Sequence, residues 1–389
     1  MPQVVEPEVA FARPDIGQAE IDAVSEALAS GWLTSGPRVA EFERRFADYV
    51  GAPHAVAVSS CTAGLHLSLL AVGVGPGAEV VTTPLTFCAT ANAIIHAGAV
   101  PVFADVATST MNIDPDAVEE AMTSRTAAIL PVHYAGRPAD IPTLDRLARY
   151  HDAHVVEDAA HALGASTDGV RVGAAGNLTC FSFYSTKNLT TGEGGMVTTA
   201  FAERAEMVRV AGHHGIRQSA WSRERVGRAA DYDVVCPGFK YNMTDLQAAI
   251  GLQQLTRLPT LLSRREAIWR RYDAALADQP VTRPVASSAG TVHARHLYTI
   301  LVDPAVCGWS RDELQQHLAT RGVQTSIHFR SLHLHPYYAE RFGLRRGMFP
   351  RAERISDQTL SLPLSSTLTD ADVDRVLSEI AGALGARHG

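Results

Sequence analysis

What the 389-residue chain has little of narrows it first. Its five cysteines, Cys61, Cys88, Cys180, Cys236 and Cys307, are odd in number, widely spaced and without a C-x-x-C pair. That pattern fits reduced, mostly buried thiols in a cytoplasmic protein rather than a disulfide framework or a zinc site. No stretch is long and apolar enough to span a bilayer. The first ten residues, M-P-Q-V-V-E-P-E-V-A, lack the basic start and apolar run of a signal peptide, so a soluble cytoplasmic protein with no membrane partner is expected. Excess positive charge is lacking too. Basic residues number 34 against 41 acidic, a net charge of −7, which gives no basic footprint for nucleic acid. The local cluster Arg264-Arg265 reads as a solvated helix face. There is no internal repeat and no low-complexity tract.

What is present is an ordinary globular composition, 46% hydrophobic and 19% charged, in a chain long enough for a large core and two structural regions. Ile21, Val24 and Leu28 fall at helical spacing within Ile16 to Ser30, and Gly31 can close that helix. After a loop over residues 31 to 37, Val39, Phe42 and Phe46 mark a second helix. Strands then alternate with helices. Strands are expected at His54 to Val58, Glu79 to Thr82, Val100 to Phe103, Ala127 to Val132 and His154 to Glu157, and this alternation predicts an α/β fold with a mostly parallel, buried sheet. From about residue 256 the pattern changes to a helix rich in Arg and Leu, a loop-like segment Asp278 to Gly290, strand His296 to Val302 and helix Arg311 to Arg321. The expected division is a large domain over 1–255 and a smaller α+β domain over 256–389.

The residues with chemical potential cluster at strand ends. Lys187, in C-F-S-F-Y-S-T-K-N-L-T-T-G-E-G-G-M-V, follows an apolar strand and precedes a turn, at the edge where open α/β sheets collect ligands. A lysine amine condenses with aldehydes once burial or neighbours lower its pKa. Upstream, V-V-E-D-A-A-H-A-L-G sets Asp158 at the end of another strand. An acid and a lysine at neighbouring strand ends suit pyridoxal phosphate: the carboxylate keeps the pyridinium nitrogen protonated and the lysine forms the Schiff base. The turn S-S-C-T-A-G-L-H, Ser59 to His66, exposes N–H groups at a helix start, which attract a phosphate, although helix capping by Ser60 or Thr62 explains the same residues. Thr244 with Gln247 three residues later predicts a capping box that opens a helix.

The pair E-D-A-A-H-A-L-G and S-F-Y-S-T-K-N-L-T-T-G-E-G-G resembles the sugar aminotransferases of the DegT/DnrJ/EryC1/StrS family, of the fold-type I aspartate aminotransferase architecture, from about residue 10 to the C-terminus. The resemblance implies pyridoxal 5'-phosphate and pyridoxamine 5'-phosphate as cofactor forms, Lys187 and Asp158 as catalytic residues, and a cofactor site completed by Thr62, Ala63, Phe87, His161 and Ser182. Phe87 matches the aromatic that stacks on the cofactor ring. Asn242, in G-F-K-Y-N-M-T-D-L-Q, matches an asparagine that reaches the partner subunit's cofactor phosphate, which implies a homodimer with shared active sites. The implied substrates are L-glutamate and a nucleotide-linked keto sugar. P-V-H-Y-A-G, residues 131 to 136, resembles the branch that aminates C4 of NDP-4-keto-6-deoxyhexoses, with amination of a 3-keto sugar as the alternative. His328, in I-H-F-R-S-L-H-L-H-P-Y-Y, resembles a residue facing the sugar nucleotide. His333 and His335 suggest a metal on paper, but without acidic partners at ligand spacing no metal is expected. The related 3-dehydrases replace the lysine by histidine and need clustered cysteines. Non-catalytic regulators carry a DNA-binding segment ahead of this region, and here the resemblance begins within about ten residues of Met1.

Overall fold

The computed structural model describes residues 8–217 and 232–386. Short runs of Val, Ile, Leu and Ala, bounded by turn residues, fold as strands: β1 (His54–Val58), β2 (Glu79–Thr82), β3 (Val100–Phe103), β4 (Thr126–Leu130) and β5 (His154–Asp158). Two short strands, β6 (Ser166–Thr167) and β7 (Val170–Arg171), precede β8 (Leu178–Ser182) and β9 (Gly195–Thr199). Seven of these form the central sheet, in the order β1-β9-β8-β5-β4-β2-β3. From β3 to β8 every neighbour is parallel, and β9 runs antiparallel to both β8 and β1. The α/β fold with a mostly parallel sheet is therefore what forms. Strands β2 and β9 are buried throughout, as expected where helices cover both faces.

The register brings chemistry to one edge. Asp158 pairs with Cys180, while Ser182 and Val58 both pair with Gly195. The ends of β1 and β8 thus flank the start of β9, with the end of β5 beside β8, and the turns that follow them share one crevice.

The helices around this sheet are α1 (Gln18–Ala29), α2 (Pro37–Val50), α3 (Cys61–Ala71), α4 (Cys88–His96), α5 (Pro115–Ala121), α6 (Ile141–Tyr150) and α7 (Ala202–Ala211). Helix α1 forms, but its apolar stripe turns outward: Ile21 and Leu28 are more than half exposed, whereas Glu20 and Ala27 are buried. The reason is polar. Glu20 accepts hydrogen bonds from Gln254 Nε2 at 2.8 Å and Arg257 Nη1 at 2.9 Å, and these fix which face of α1 meets the following layer.

That layer is a 31-residue helix, Asp245–Ala275, opened by the expected Thr244/Gln247 capping box. Its Ala248, Leu255 and Leu258 join the core of Phe42, Phe46, Phe181 and Phe183. Farther along, Ile268, Trp269 and Tyr272 join a second core built on the antiparallel pair β11 (Tyr298–Leu301) and β12 (Thr359–Leu362) and on helix Asp370–Ala386. A three-stranded sheet pairs β6 with β7 and with β10 (Thr291–Val292). The two regions divided at 255/256 accordingly share one helix, with the change of core between Leu258 and Ile268. Arg265 lies in that interval and corrects the expectation of a solvated face. It is only 3% exposed, because its guanidinium turns inward to backbone carbonyls, while Arg264 reaches out to Asp370.

No helix among the described residues is long and apolar enough to cross a membrane.

Candidate active site

A cavity of about 530 Å³ opens at this sheet edge, with Thr62, Phe87, Asp158, His161, Ser182, Lys187 and His328 on its walls. The size suits a small-molecule site. The structure thus brings seven of the nine residues singled out from the sequence into one space.

The turn after β1 is shaped by a cap and by glycine. Ser60, extended at φ −166°, accepts from Ala63 N at 3.1 Å, so α3 starts at Cys61 with the Ala63 N–H already engaged. The other N–H groups of that first turn have no i−4 carbonyl and point toward the cavity end of the helix. Gly195 lets β9 pass directly beneath, since a Cβ there would lie 2.6 Å from Ser60 C and 2.7 Å from Cys61 N.

Asp158 is buried and held from two sides. Its Oδ2 accepts from Thr90 Oγ1 at 2.8 Å, and its Oδ1 accepts from Ala160 N at 3.1 Å with the Cys61 thiol at 3.9 Å. Burial pushes the carboxyl upward, while the Thr90 and Ala160 hydrogen bonds and the nearby Lys187 charge oppose that rise. Behind it, Ala139 N donates to His133 Nδ1 at 3.0 Å, which leaves the His133 Nε2 proton for Glu157 Oε2 at 2.9 Å. The His133 N–H donates to the Asp158 carbonyl at 3.0 Å and so ties this buried pair to the acid's backbone.

Lys187 follows β8 by one turn, its N–H donating to Tyr184 O at 2.9 Å. Burial draws its ammonium down to about 8, offset in part by Asp158, with Arg265 pulling the same way as burial. Over it stand aromatic rings. The His161 ring centre lies 4.3 Å from that of His296 and 6.0 Å from that of Phe329, nearly parallel to the latter at 14°. Burial holds His161 well below the ordinary histidine range, and its buried Nδ1 has no hydrogen-bond partner among the described residues. His328 is fixed by a 2.9 Å contact between Nδ1 and Ser361 Oγ and stacks on Phe11 at 5.5 Å; burial lowers it to about 3. Phe87 is 61% exposed at the cavity mouth, 6.4 Å from Phe329.

Two of the nine residues stand apart. Ala63 is buried and is not on the cavity wall, and its N–H is taken up by Ser60 Oγ. Asn242 lines a separate cavity of about 300 Å³ with Ser35, Arg209 and Tyr241. Its Nδ2 donates to Ser35 Oγ at 2.7 Å, and its buried Oδ1 has no partner among the described residues. His133 and Tyr134 of the H-Y-A-G run are buried beneath the cavity, and Tyr134 Oη donates to the His328 carbonyl. His333 is turned away to Glu353 Oε1 at 2.9 Å, and no group of three or more possible metal ligands occurs among the described residues.

Sequence reasoning missed Thr90, Cys61, His296 and Phe329. Thr90 had a signal, being a polar residue on the same face of α4 as the buried Ala91 and Ile94, where a hydroxyl needs a partner. His296 and Phe329 had none, since only folding of the second region brings them over the lysine.

The donor set fits pyridoxal phosphate. A lysine amine partly neutral near pH 8 suits the aldehyde, a buried carboxylate suits the ring nitrogen, and the flat rings of Phe87 and His161 suit its faces. The α3 terminus with Thr62 and Ser182 suits the phosphate.

Comparison with known proteins agrees. The profile of the DegT/DnrJ/EryC1/StrS aminotransferase family matches residues 14–381. The spore coat polysaccharide biosynthesis protein SpsC of Bacillus subtilis (strain 168) is 47% identical over 372 residues, 95% of each chain. Spr1654 from Streptococcus pneumoniae, solved in PLP-form, superposes with a TM-score of 0.90 at 33% identity over 97% of this chain and 99% of its own. Its PMP-form gives a TM-score of 0.91 at 34% identity over the same shares. The sugar aminotransferase CalS13 from Micromonospora echinospora gives 0.85 at 32% identity, covering 96% of this chain and 99% of its own.

Proposed function

The chain belongs to the DegT/DnrJ/EryC1/StrS aminotransferase family and is a pyridoxal-phosphate-dependent sugar aminotransferase; from this premise we infer that it moves the amino group of L-glutamate to C4 of a nucleotide-linked 4-keto-6-deoxyhexose. The observation that carries the reading is the meeting of Lys187 and Asp158 in one cavity, with an amine that burial leaves partly neutral.

When bound, pyridoxal phosphate supplies an aldehyde that condenses with amines and a ring that spreads negative charge from the carbon losing its proton. The chain's residues do the rest. Lys187 Nζ, neutral and within the cavity, takes the α-proton of the donor as general base and returns it as general acid. Asp158 would hold positive charge at the ring nitrogen, its two oxygens being fixed by Thr90 and Ala160 N. Phe87 and His161 would flank the ring. Thr62, Ser182 and the first turn of α3 take the phosphate, the Ala63 N–H being held by Ser60. His328, on the wall of the same cavity, would face the sugar nucleotide.

Position C4 follows from the likeness of residues 131 to 136 and 238 to 242 to the C4-acting branch. The protein acts as a homodimer whose sites are shared, with Asn242 serving the partner's cofactor phosphate. Supporting this are the orphaned Asn242 Oδ1 in a second cavity and the exposed apolar residues Ile16, Ile21, Leu28 and Leu33.

The test is incubation of the purified protein with glutamate and a panel of nucleotide-linked 3-keto and 4-keto sugars, with NMR to locate the new amine. Amination at C4 is expected. Exclusive amination at C3 overturns the assignment.

A further inference from the structure

Three histidines, His161, His296 and His328, stand on the cavity wall, and the chemistry above gives His296 no part. Of the three, only His296 has a tautomer that the fold dictates. Its Nδ1 lies 3.2 Å from Oδ1 of Asn188, the residue after Lys187. That amide is itself oriented, because its Nδ2 donates to Ala294 O at 2.8 Å and to Leu163 O at 3.4 Å. Two carbonyls require the amide nitrogen on their side, so the oxygen faces His296 and can only accept. The proton of the neutral ring is therefore on Nδ1. The other two lack such an anchor: His161 Nδ1 has no partner among the described residues, and His328 Nδ1 meets the Ser361 hydroxyl, which can give or take. Burial, and after it the nearby His161 and Lys187, hold His296 well below the ordinary histidine range, so Nε2 keeps a bare lone pair. Nε2 makes no hydrogen bond among the described residues and is not one of the core atoms shut away without a partner, so it is the ring nitrogen open to the cavity.

An acceptor at this place selects by chemistry. A keto oxygen, a diphosphate and the carboxylates of glutamate present acceptors only, and a lone pair repels them. The donors that enter the cavity are the amine of glutamate, which is consumed at the cofactor in the first half-reaction, and the ring hydroxyls of the sugar. We propose that His296 is a specificity-determining residue for the sugar: its Nε2, kept bare by the Asn188 anchor on Nδ1, accepts a hydrogen bond from a ring hydroxyl of the keto sugar. The site then favours sugars that retain this hydroxyl over their deoxy counterparts, which leave a buried acceptor unpaired. Because Asn188 follows Lys187 directly, one segment of chain sets both the reactive amine and the acceptor that would orient the sugar toward it.

The proposal rests on the reading of the acceptor as a nucleotide-linked keto sugar. Since the reaction runs in two half-reactions, kcat/KM for glutamate and kcat/KM for the sugar each report one of them. The test measures both on the full, cofactor-loaded chain, with 3-keto and 4-keto sugars beside analogues that each lack one ring hydroxyl. Wild type should prefer the intact sugar to one of its deoxy analogues by about tenfold or more. His296→Asn keeps an N–H for Asn188 and removes the Nε2 acceptor; it should bring that ratio to within about twofold of unity, with a loss several-fold larger on the sugar's kcat/KM than on glutamate's. His296→Gln, whose amide oxygen reaches about the place of Nε2, should keep most of the preference. Should the Asn variant not fold, His296→Leu also removes the acceptor and is read by the same ratio. A wild type indifferent to every ring hydroxyl overturns the proposal, and so does an Asn or Leu variant that keeps the wild-type ratio or loses both half-reactions equally. Absence of turnover with every keto sugar, while glutamate still reacts, would instead refute the reading of the acceptor, and the proposal with it.

Discussion

Replacing Asp158 by asparagine separates charge from structure at the centre of the site. The side chain keeps its volume, its Oδ1 retains the Ala160 N–H, and its Nδ2 faces Thr90 Oγ1, whose hydroxyl already has Thr86 Oγ1 at 2.8 Å as a second partner. Because burial pushes the Asp158 carboxyl upward, the fold itself disfavours the charge there, and removing it should leave the melting temperature unchanged or slightly raised. The whole effect should fall on rate. Without a carboxylate opposite the ring nitrogen, the charge that develops during proton removal loses its main stabiliser, a loss typically of about 10²-fold or more in kcat, or roughly 2.7 kcal/mol. The assay is the half-reaction with glutamate, followed by the cofactor's visible absorbance in single turnovers, beside thermal melting. Cofactor content near wild type with a large fall in rate is expected. Near-normal turnover would show that Asp158 is structural only, and the reasoning would fail.

Other outcomes follow from the same geometry. Because burial lowers Lys187, the neutral amine dominates above about pH 8, so the rate at which pyridoxal phosphate adds to the stripped chain should rise through that region and flatten above it; stopped-flow absorbance showing the rise only near pH 10 would contradict this. Asp245 is fully buried and accepts from Gly36 N at 2.8 Å, Val39 N at 3.0 Å and Arg38 N at 3.2 Å, pinning the start of α2 to the long helix. Asp245→Ala should cost about 3 kcal/mol in a denaturation experiment, since buried N–H groups lose a charged acceptor. For the shared site, mixing Lys187→Ala with Asn242→Ala subunits after mild dissociation should recover about a quarter of wild-type activity, because about half of randomly paired dimers are hybrids with one complete site. No recovery would mean that Asn242 serves its own subunit.

How far the sequence could be read depended on how local each signal was. Strands β1, β2 and β3 lay where apolar runs end at turn residues, and the Thr244/Gln247 box located its helix to the residue. Ser182 came only from the resemblance, whereas that Lys187 and Asp158 would lie along one cavity was legible because strand ends and ligand-collecting edges coincide in this architecture. The direction of β9 was not, because G-M-V-T-T carries no mark of its antiparallel pairing. Periodicity misjudged the two surfaces where tertiary contacts override it. Ile21 and Leu28 face outward because Glu20 is claimed by Gln254 and Arg257, and Arg265 faces inward because carbonyls of the second region wait for it. His296 and Phe329 come from that same region, far along the chain, so no spacing announces them.

The claim on which all else depends is that Lys187 is the amine that holds the cofactor. The purified protein should be yellow, and borohydride should abolish the visible band while fixing the cofactor to the chain. Peptide mass mapping of the reduced adduct is expected to find the added mass on Lys187; finding it on another lysine, such as Lys240, would contradict the account at its root.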